Sequence, residues 1–271
     1  INPLPTAFNV TGGGSYCAGG AGVTIGLSGS TAGVSYQPIL LGSPSGAAVA
    51  GTGAVISFGN RTSSGTYTVI ATNTTTGCTN TMTGSANVTI TAGPTAFAVT
   101  GGGSYCSGGT GVAVGLASSQ NLTTYQLFRG ATLVSSLAGT GGSLNFGLQT
   151  VAATYTIVGT SLISGCQTTM AGSAVVSINP LPDLFAVTGG GSFCSGGTGV
   201  TVGLSGSVSG VNYQLFLGAS PVGTPVAGTG SAISFGLQTT LGTYFVTAKN
   251  ATTNCTINMS GTVTVSNFNT P

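Results

Sequence analysis

The chain is 271 residues long, with three Lys and Arg in all, a single Asp or Glu, no His and a net charge of +2. General acid–base catalysis is left without its usual side chains. Asp183, the sole side-chain carboxylate, builds neither a calcium site nor a carboxylate pair for hydrolysis, and nucleic-acid binding lacks the clustered Lys and Arg of a phosphate footprint. Hydrophobic residues make up 41%, too many for a disordered chain, yet Gly, Ser and Thr break every apolar run well short of the roughly 18–20 residues of a spanning helix. With 49 Gly, only 10 Pro and no three-residue period, collagen is excluded too. The composition points to a β-rich, non-enzymatic chain with no cofactor, no metal, no nucleic-acid partner and no transmembrane segment.

The chain opens on INPLP at 1–5, a string that returns at 178–182. Residues 1–5 therefore read as the tail and linker of a preceding repeat, and the chain as a piece of a longer array in which no signal peptide is expected. Next comes GGGSYCAGG at 12–20, which returns as GGGSYCSGG at 101–109 and GGGSFCSGG at 189–197. A phosphate-loop reading fails, because no Lys-Ser/Thr follows and no helix is indicated. Three copies point to architecture: an A–B turn, with glycines for unusual φ and a cysteine for a staple. The cysteines fix the period, 106 − 17 = 89 and 194 − 106 = 88, the length of an immunoglobulin domain. The repeats are expected at 6–93, 94–182 and 183–271, joined by short proline-containing linkers that are stiff for their length.

Within a repeat the apolar period is two, the mark of half-buried strands. In chain order the first repeat offers Phe8 and Val10 for strand A, then Val23, Ile25 and Leu27 for strand B and Tyr36 and Ile39 for strand C. Ile56 and Phe58 follow for strand E, Tyr67, Val69 and Ala71 for strand F, and Met82, Val88 and Ile90 for strand G. The middle repeat supplies Val112, Val114, Leu116, Phe146, Tyr155 and Ile157 in the same places, and the third Val200, Val202, Leu204, Phe235, Tyr244 and Val246. The segments GSPSGAAVAGTG, GATLVSSLAGTG and GASPVGTPVAGTG differ between repeats and read as variable loops. The predicted fold is all-β: three tandem Ig-like β-sandwich repeats arranged end to end. Tyr67, Tyr155 and Tyr244 each open strand F, as in a tyrosine corner. The antibody pattern is incomplete, since there is no Trp and Val69, Ile157 and Val246 stand where the second core cysteine would be.

The six cysteines precede strand B (Cys17, Cys106, Cys194) or begin strand G (Cys78, Cys166, Cys255), spread singly rather than as the CxxC pairs of a zinc site. In an Ig topology these two places lie at opposite ends of the domain. A six-residue strand spans about 20 Å, beyond the roughly 4.4–6.8 Å between Cα atoms that a disulfide tolerates. Bonds between adjacent repeats satisfy the reach limit: Cys17 with Cys166 and Cys106 with Cys255, leaving Cys78 and Cys194 for repeats outside the fragment. Bonds within a repeat, such as Cys17 with Cys78, and free thiols are the alternatives. Either disulfide scheme requires an oxidising, extracytoplasmic compartment.

Asn-x-Ser/Thr occurs at Asn9, Asn60, Asn73, Asn87, Asn121, Asn250, Asn254 and Asn258, as expected by chance in so Thr- and Ser-rich a chain. Arg61, Arg129 and Lys249 fall at non-equivalent places and form no patch. A surface of Ser, Thr, Gly and Asn has little charge to screen and little charge repulsion, which suits a fixed extracellular fibre.

The segments SYCAGGAGVTIGLSGS and GTYTVIATNTTTGCTNTM resemble the Cys- and Gly-rich Ig-like repeats of very large Bacteroidota surface adhesins, particularly the gliding-motility adhesins exported by the type IX system. The resemblance covers all three repeats. It implies a cell-surface filament that attaches to a substratum and, in gliding cells, is carried along the envelope by a motor. The expected role is a stalk or shaft segment whose partners are the neighbouring repeats of the same chain. A multivalent module binding a glycan or an external surface, or a self-assembling filament subunit, are the other readings.

Overall fold

The computed structural model describes residues 2–268, and no helix occurs among them. The first repeat forms β1 (Val10–Gly12), β2 (Gly14–Cys17), β3 (Val23–Leu27), β4 (Val34–Leu40), β5 (Ser43–Pro44), β6 (Val49–Ala50), β7 (Ile56–Arg61), β8 (Gly65–Asn73), β9 (Thr79–Thr81) and β10 (Ala86–Thr91). Strand alternation puts Ile25 and Leu27, Tyr36, Ile56 and Phe58, Tyr67, Val69 and Ala71, and Ala86 and Val88 on inward faces, where they are buried together. Each of the Ile, Leu, Val and Phe side chains contributes about 1.5–3 kcal/mol of transfer free energy. They hold two sheets face to face: β1-β3-β7, and β2-β10-β8-β4-β5 with β6 also on β4 and β9 also on β8. This is a two-sheet sandwich of Ig-like architecture.

The middle repeat runs through β11 (Val99–Gly101), β12 (Gly103–Cys106), β13 (Val112–Leu116), β14 (Thr123–Arg129), β15 (Thr132–Ala138), β16 (Leu144–Gln149), β17 (Ala153–Ser161), β18 (Gln167–Thr169) and β19 (Ala174–Asn179). The third comprises β20 (Val187–Gly189), β21 (Gly191–Cys194), β22 (Val200–Leu204), β23 (Val211–Leu217), β24 (Ser220–Ala227), β25 (Ile233–Gln238), β26 (Gly242–Asn250), β27 (Thr256–Asn258) and β28 (Val263–Phe268). By packing, the chain divides into two compact units. One comprises Ile1–Val99, Leu116–Phe146 and Thr156–Ser173, the other Thr100–Gly115, Gly147–Tyr155 and Ala174–Pro271. The third repeat repeats the sandwich of the first, with β20-β22-β25 against β21-β28-β26-β23-β24 around a core of Val202, Leu204, Tyr213, Leu215, Tyr244 and Val246.

The GGGSYCAGG stretch is more than the turn expected of it. β1 pairs antiparallel with β3, whereas β2 pairs in parallel with β10 in the opposite sheet, Cys17 facing Thr91. Gly12, Gly13 and Gly14, at φ of 86°, 84° and 127°, carry the chain across. A Cβ on Gly12 would lie 2.1 Å from the Thr24 carbonyl oxygen, so glycine is required there by space as well as by φ. The turn itself is confined to residues 18–22, where Gly20 N–H donates to Cys17 O at 2.8 Å.

Three further expectations are corrected, and Ile39 is in strand C as expected, though on its outer side. Phe8 precedes β1, and Met82 lies in a gap between β9 and β10 rather than in strand G. The incoming chain crosses that gap: Phe8 N–H donates to Met82 Sδ at 3.4 Å, while Thr83 N–H donates to Phe8 O at 2.9 Å. Ile39 faces outward and Pro38 is buried in its stead. Pro38 O accepts from Ser45 N–H at 2.8 Å, so in an antiparallel strand its missing N–H points to that same side, where the edge strand is split into β5 and β6 and no donor is needed. Finally, the AGTG end of the three variable segments is fixed by packing. A Cβ on Gly51, Gly139 or Gly228 would fall 2.0, 1.8 or 2.0 Å from the carbonyl oxygen of Thr31, Gln120 or Val208. Buried Ser30 Oγ donates to Ala54 O at 2.6 Å and accepts from Thr52 N–H at 2.9 Å, tying the two loops together.

Candidate functional site: cysteine-bridged junctions

Two disulfides join cysteines 149 residues apart. Cys17 is bonded to Cys166 and Cys106 to Cys255, each with Cα atoms 5.5 Å apart. The parallel pairing of β2 with β10 explains the position of Cys17. It brings the cysteine to the last residue of the first repeat's final strand, and Ala18 N–H closes the pairing on Thr91 O at 2.9 Å. Cys106 faces Asn179 in the same way, with Ser107 N–H on Asn179 O at 2.9 Å.

The receiving cysteine ends the turn between β17 and β18. Ser161 N–H donates to Cys166 O at 2.9 Å, and Leu162 N–H to Leu122 O at 2.8 Å. In the third repeat Asn250 N–H donates to Cys255 O at 2.9 Å, while Asn250 Oδ1 accepts from the backbone N–H of Thr252 and Thr253 at 2.9 and 3.0 Å. This Asx turn presets the loop. Cys166 and Cys255 are fully buried. Cys166 Sγ lies 3.8 Å from Thr91 O, a van der Waals contact, since a bridged sulfur has no proton to donate.

The linker is packed against the repeat it leads into. A Cβ on Gly93 would fall 2.4 Å from Thr168 Oγ1, Thr95 N–H donates to Gln120 Oε1 at 2.7 Å, and Pro94 is buried. Pro5 and Pro182 are buried at the equivalent step, and Asn80 Nδ2 donates to Pro5 O at 2.8 Å. Beside the first bridge lies a cavity of about 350 Å³ lined by Ser15, Tyr16, Thr91, Ile163 and Ser164. Of the cysteines, Cys78 and Cys194 carry free thiols, the first half-buried and the second exposed.

Tyr67, Tyr155 and Tyr244 are buried, and their hydroxyls donate to the carbonyls of Ser63, Val151 and Thr240, four residues back, at 3.0, 2.9 and 2.7 Å. That is the hydrogen bond of a tyrosine corner. A second tyrosine set escaped the sequence reading. The hydroxyls of Tyr36, Tyr125 and Tyr213 accept the backbone N–H of Thr31, Gln120 and Val208 at 2.9, 2.9 and 3.0 Å. The recurring Tyr-Gln pair in strand C was its signal. Among the described residues no three His, Cys, Asp or Glu stand together.

No family model matches the sequence, and no curated protein matches it. Among solved structures the chain is similar to immunoglobulin domains 1–5 of Sidekick-1, with 15% identity, 97% of this chain and 60% of that one covered, and a TM-score of 0.31. It is also similar to three N-terminal domains of the bacteriophage RB49 outer capsid protein Hoc, with 15% identity, coverage of 96% and 95%, and a TM-score of 0.32. A third is the chicken CNTN1 FN1–FN3 fragment, with 11% identity, coverage of 97% and 99%, and a TM-score of 0.33. The chain spans 60% of the Sidekick-1 fragment.

Proposed function

We propose that the chain is a shaft segment of an extracellular adhesin filament, a spacer whose repeats are stapled to one another rather than internally. The repeats on this reading are 6–93, 94–182 and 183–271, with 1–5 as the linker from a preceding repeat. The observation that carries the proposal is the pair of equivalent disulfides, Cys17 with Cys166 and Cys106 with Cys255. Each junction is crossed twice, by the linker and by a bridge. The two closed loops overlap between residues 106 and 166, within the middle repeat, so tension entering at one staple reaches the other through that sandwich while the linkers are bypassed.

Closing a loop of this length is worth about 5 kcal/mol in the chain-entropy model. Cys78 and Cys194 occupy the same structural positions as bridged cysteines and are the half-bridges to flanking repeats. Disulfides of this kind persist outside the cytoplasm, which supports an extracellular, cell-surface location and argues against an enzyme of the cytosol. The resemblance of the cysteine segments to Bacteroidota gliding adhesins supplies the attachment role and the motile host.

Small-angle scattering before and after reduction tests the proposal. The oxidised chain is expected to be extended, about 100 Å or more for three sandwiches in line at roughly 3.3 Å per strand residue plus turns. Reduction should broaden the distance distribution while far-ultraviolet dichroism stays that of a β-protein. A compact oxidised globule, or loss of the sandwiches on reduction, rejects it.

A further inference from the structure

The third repeat carries a groove whose wall differs in sequence from the equivalent positions of the other two repeats. On its outer sheet face, alternate residues of β23 and β26 form three cross-strand pairs: Asn212 with Lys249, Gln214 with Thr247, and Phe216 with Phe245. Their neighbours Tyr213, Leu215, Tyr244, Val246 and Ala248 are buried in the core, so these six turn outward. The two phenyl rings stack with centroids 5.2 Å apart and planes 11° from parallel. A cavity of about 390 Å³ opens on this face, walled by Phe216, Gln214, Asn212, Thr247 and Lys249 and flanked by Pro225 of β24 and Thr256 of β27.

The Phe–Phe pair and the cation are particular to this repeat in a chain that otherwise copies itself. Ile39 and Phe128 stand where Phe216 does, Thr68 and Thr156 where Phe245 does, and Thr72 and Thr160 where Lys249 does. Core packing does not call for the change, because the residues point away from the core. The wall combines an aromatic ring held in place by a second ring, amides and a hydroxyl, and one cation with no anion beside it. Few ligands need all three.

We propose that this groove binds a carboxylated sugar, a hexuronate unit of an acidic glycan. The C–H face of a pyranose packs on the electron-rich face of Phe216. The carboxylate pairs with the Lys249 ammonium and the ring hydroxyls exchange hydrogen bonds with Asn212; they donate to Gln214 Oε1 and Thr247 Oγ1, whose own N–H and O–H groups are held by Leu215 O and Val222 O and by Asn258 Oδ1. Phe245 acts by positioning Phe216. The site adds a ligand to the shaft reading without depending on it, since no cysteine takes part.

The test is a calorimetric titration of the oxidised full chain with tetragalacturonate and with its methyl ester, which keeps the sugar and removes the charge. The acid form should bind about tenfold more tightly than the ester, and added salt should weaken only the acid form. Lys249→Thr and Phe245→Thr install residues that the other two repeats carry at these positions, so the strand tolerates them; near-ultraviolet dichroism verifies the fold. Lys249→Thr should bring the acid form down to the level of the ester, and Phe245→Thr should weaken both at least about tenfold. The proposal is overturned by no binding of the acid form at millimolar concentration, by an ester that binds as well as the acid, or by acid-form affinity that either substitution leaves unchanged.

Discussion

Replacing Gly12 by Ala should unfold the first repeat's strand crossover selectively. At φ 86° the Cβ would lie 2.1 Å from Thr24 O, 3.0 Å from its carbonyl carbon and 3.1 Å from Ile25 Cα. The left-handed backbone alone costs about 1–2 kcal/mol for a residue with a side chain. The overlap is with backbone, so β1 and β3 must part by about 1 Å to reach van der Waals separation. That displacement breaks the bond from Gly13 N–H to the same oxygen, 3.0 Å long, for about another 1 kcal/mol. The sum, about 2–3 kcal/mol before any loss of β1–β3 pairing, should lower the melting temperature of a repeat of this size by roughly 8–24 °C at 4–8 °C per kcal/mol. Gly59→Ala is the control, because Gly59 stands at φ 77° with nothing within 4 Å of a Cβ and incurs only the backbone term. Hydrogen exchange read by mass spectrometry on the full chain should show β1 and β3 losing protection in Gly12→Ala and keeping it in Gly59→Ala. Equal effects of the two substitutions would refute the steric account of the GGG motif.

Tyr67→Phe removes the bond to Ser63 O and should cost about 1 kcal/mol, seen as a drop of roughly 4–8 °C in the first repeat's melting transition; no shift would show that the corner contributes nothing. With one carboxylate in the chain, EDTA and moderate salt should leave the melting temperature unchanged, and a fall of many degrees in the chelator contradicts this.

Strand phase was legible because burial alternates on Tyr67, Val69 and Ala71 and on their equivalents, and the repeat length because the cysteines keep step. The parallel β2–β10 pairing was not legible. It joins residues 74 apart (89 − 15, Thr89 facing Ser15) and is imposed by glycine φ values, which leave no trace in a hydrophobic pattern. Ile39 was legible as a strand C residue, but that Pro38 rather than Ile39 turns inward follows from alternation with Tyr36, and only the split edge strand shows why the missing donor of Pro38 does no harm. The bridging places of Cys17 and Cys166 follow from which end of a sandwich each turn occupies, a matter of topology that sequence spacing conveys once the fold class is known. The Phe216–Phe245 pair was half legible: alternation with Tyr244 and Val246 turns Phe245 outward, but its meeting with Phe216 needs the register of β23 on β26.

The central claim is that neighbouring repeats are stapled to one another, and non-reducing peptide mapping tests it most directly. Three Lys and Arg in the chain give trypsin too few cuts to separate the cysteines, so chymotrypsin, cleaving after Phe, Tyr and Leu, is the protease of choice. With free thiols blocked by alkylation before digestion, the account predicts Cys17 linked to Cys166, Cys106 linked to Cys255, and Cys78 and Cys194 recovered alkylated. Cys17 linked to Cys78, or Cys106 to Cys166, would contradict it.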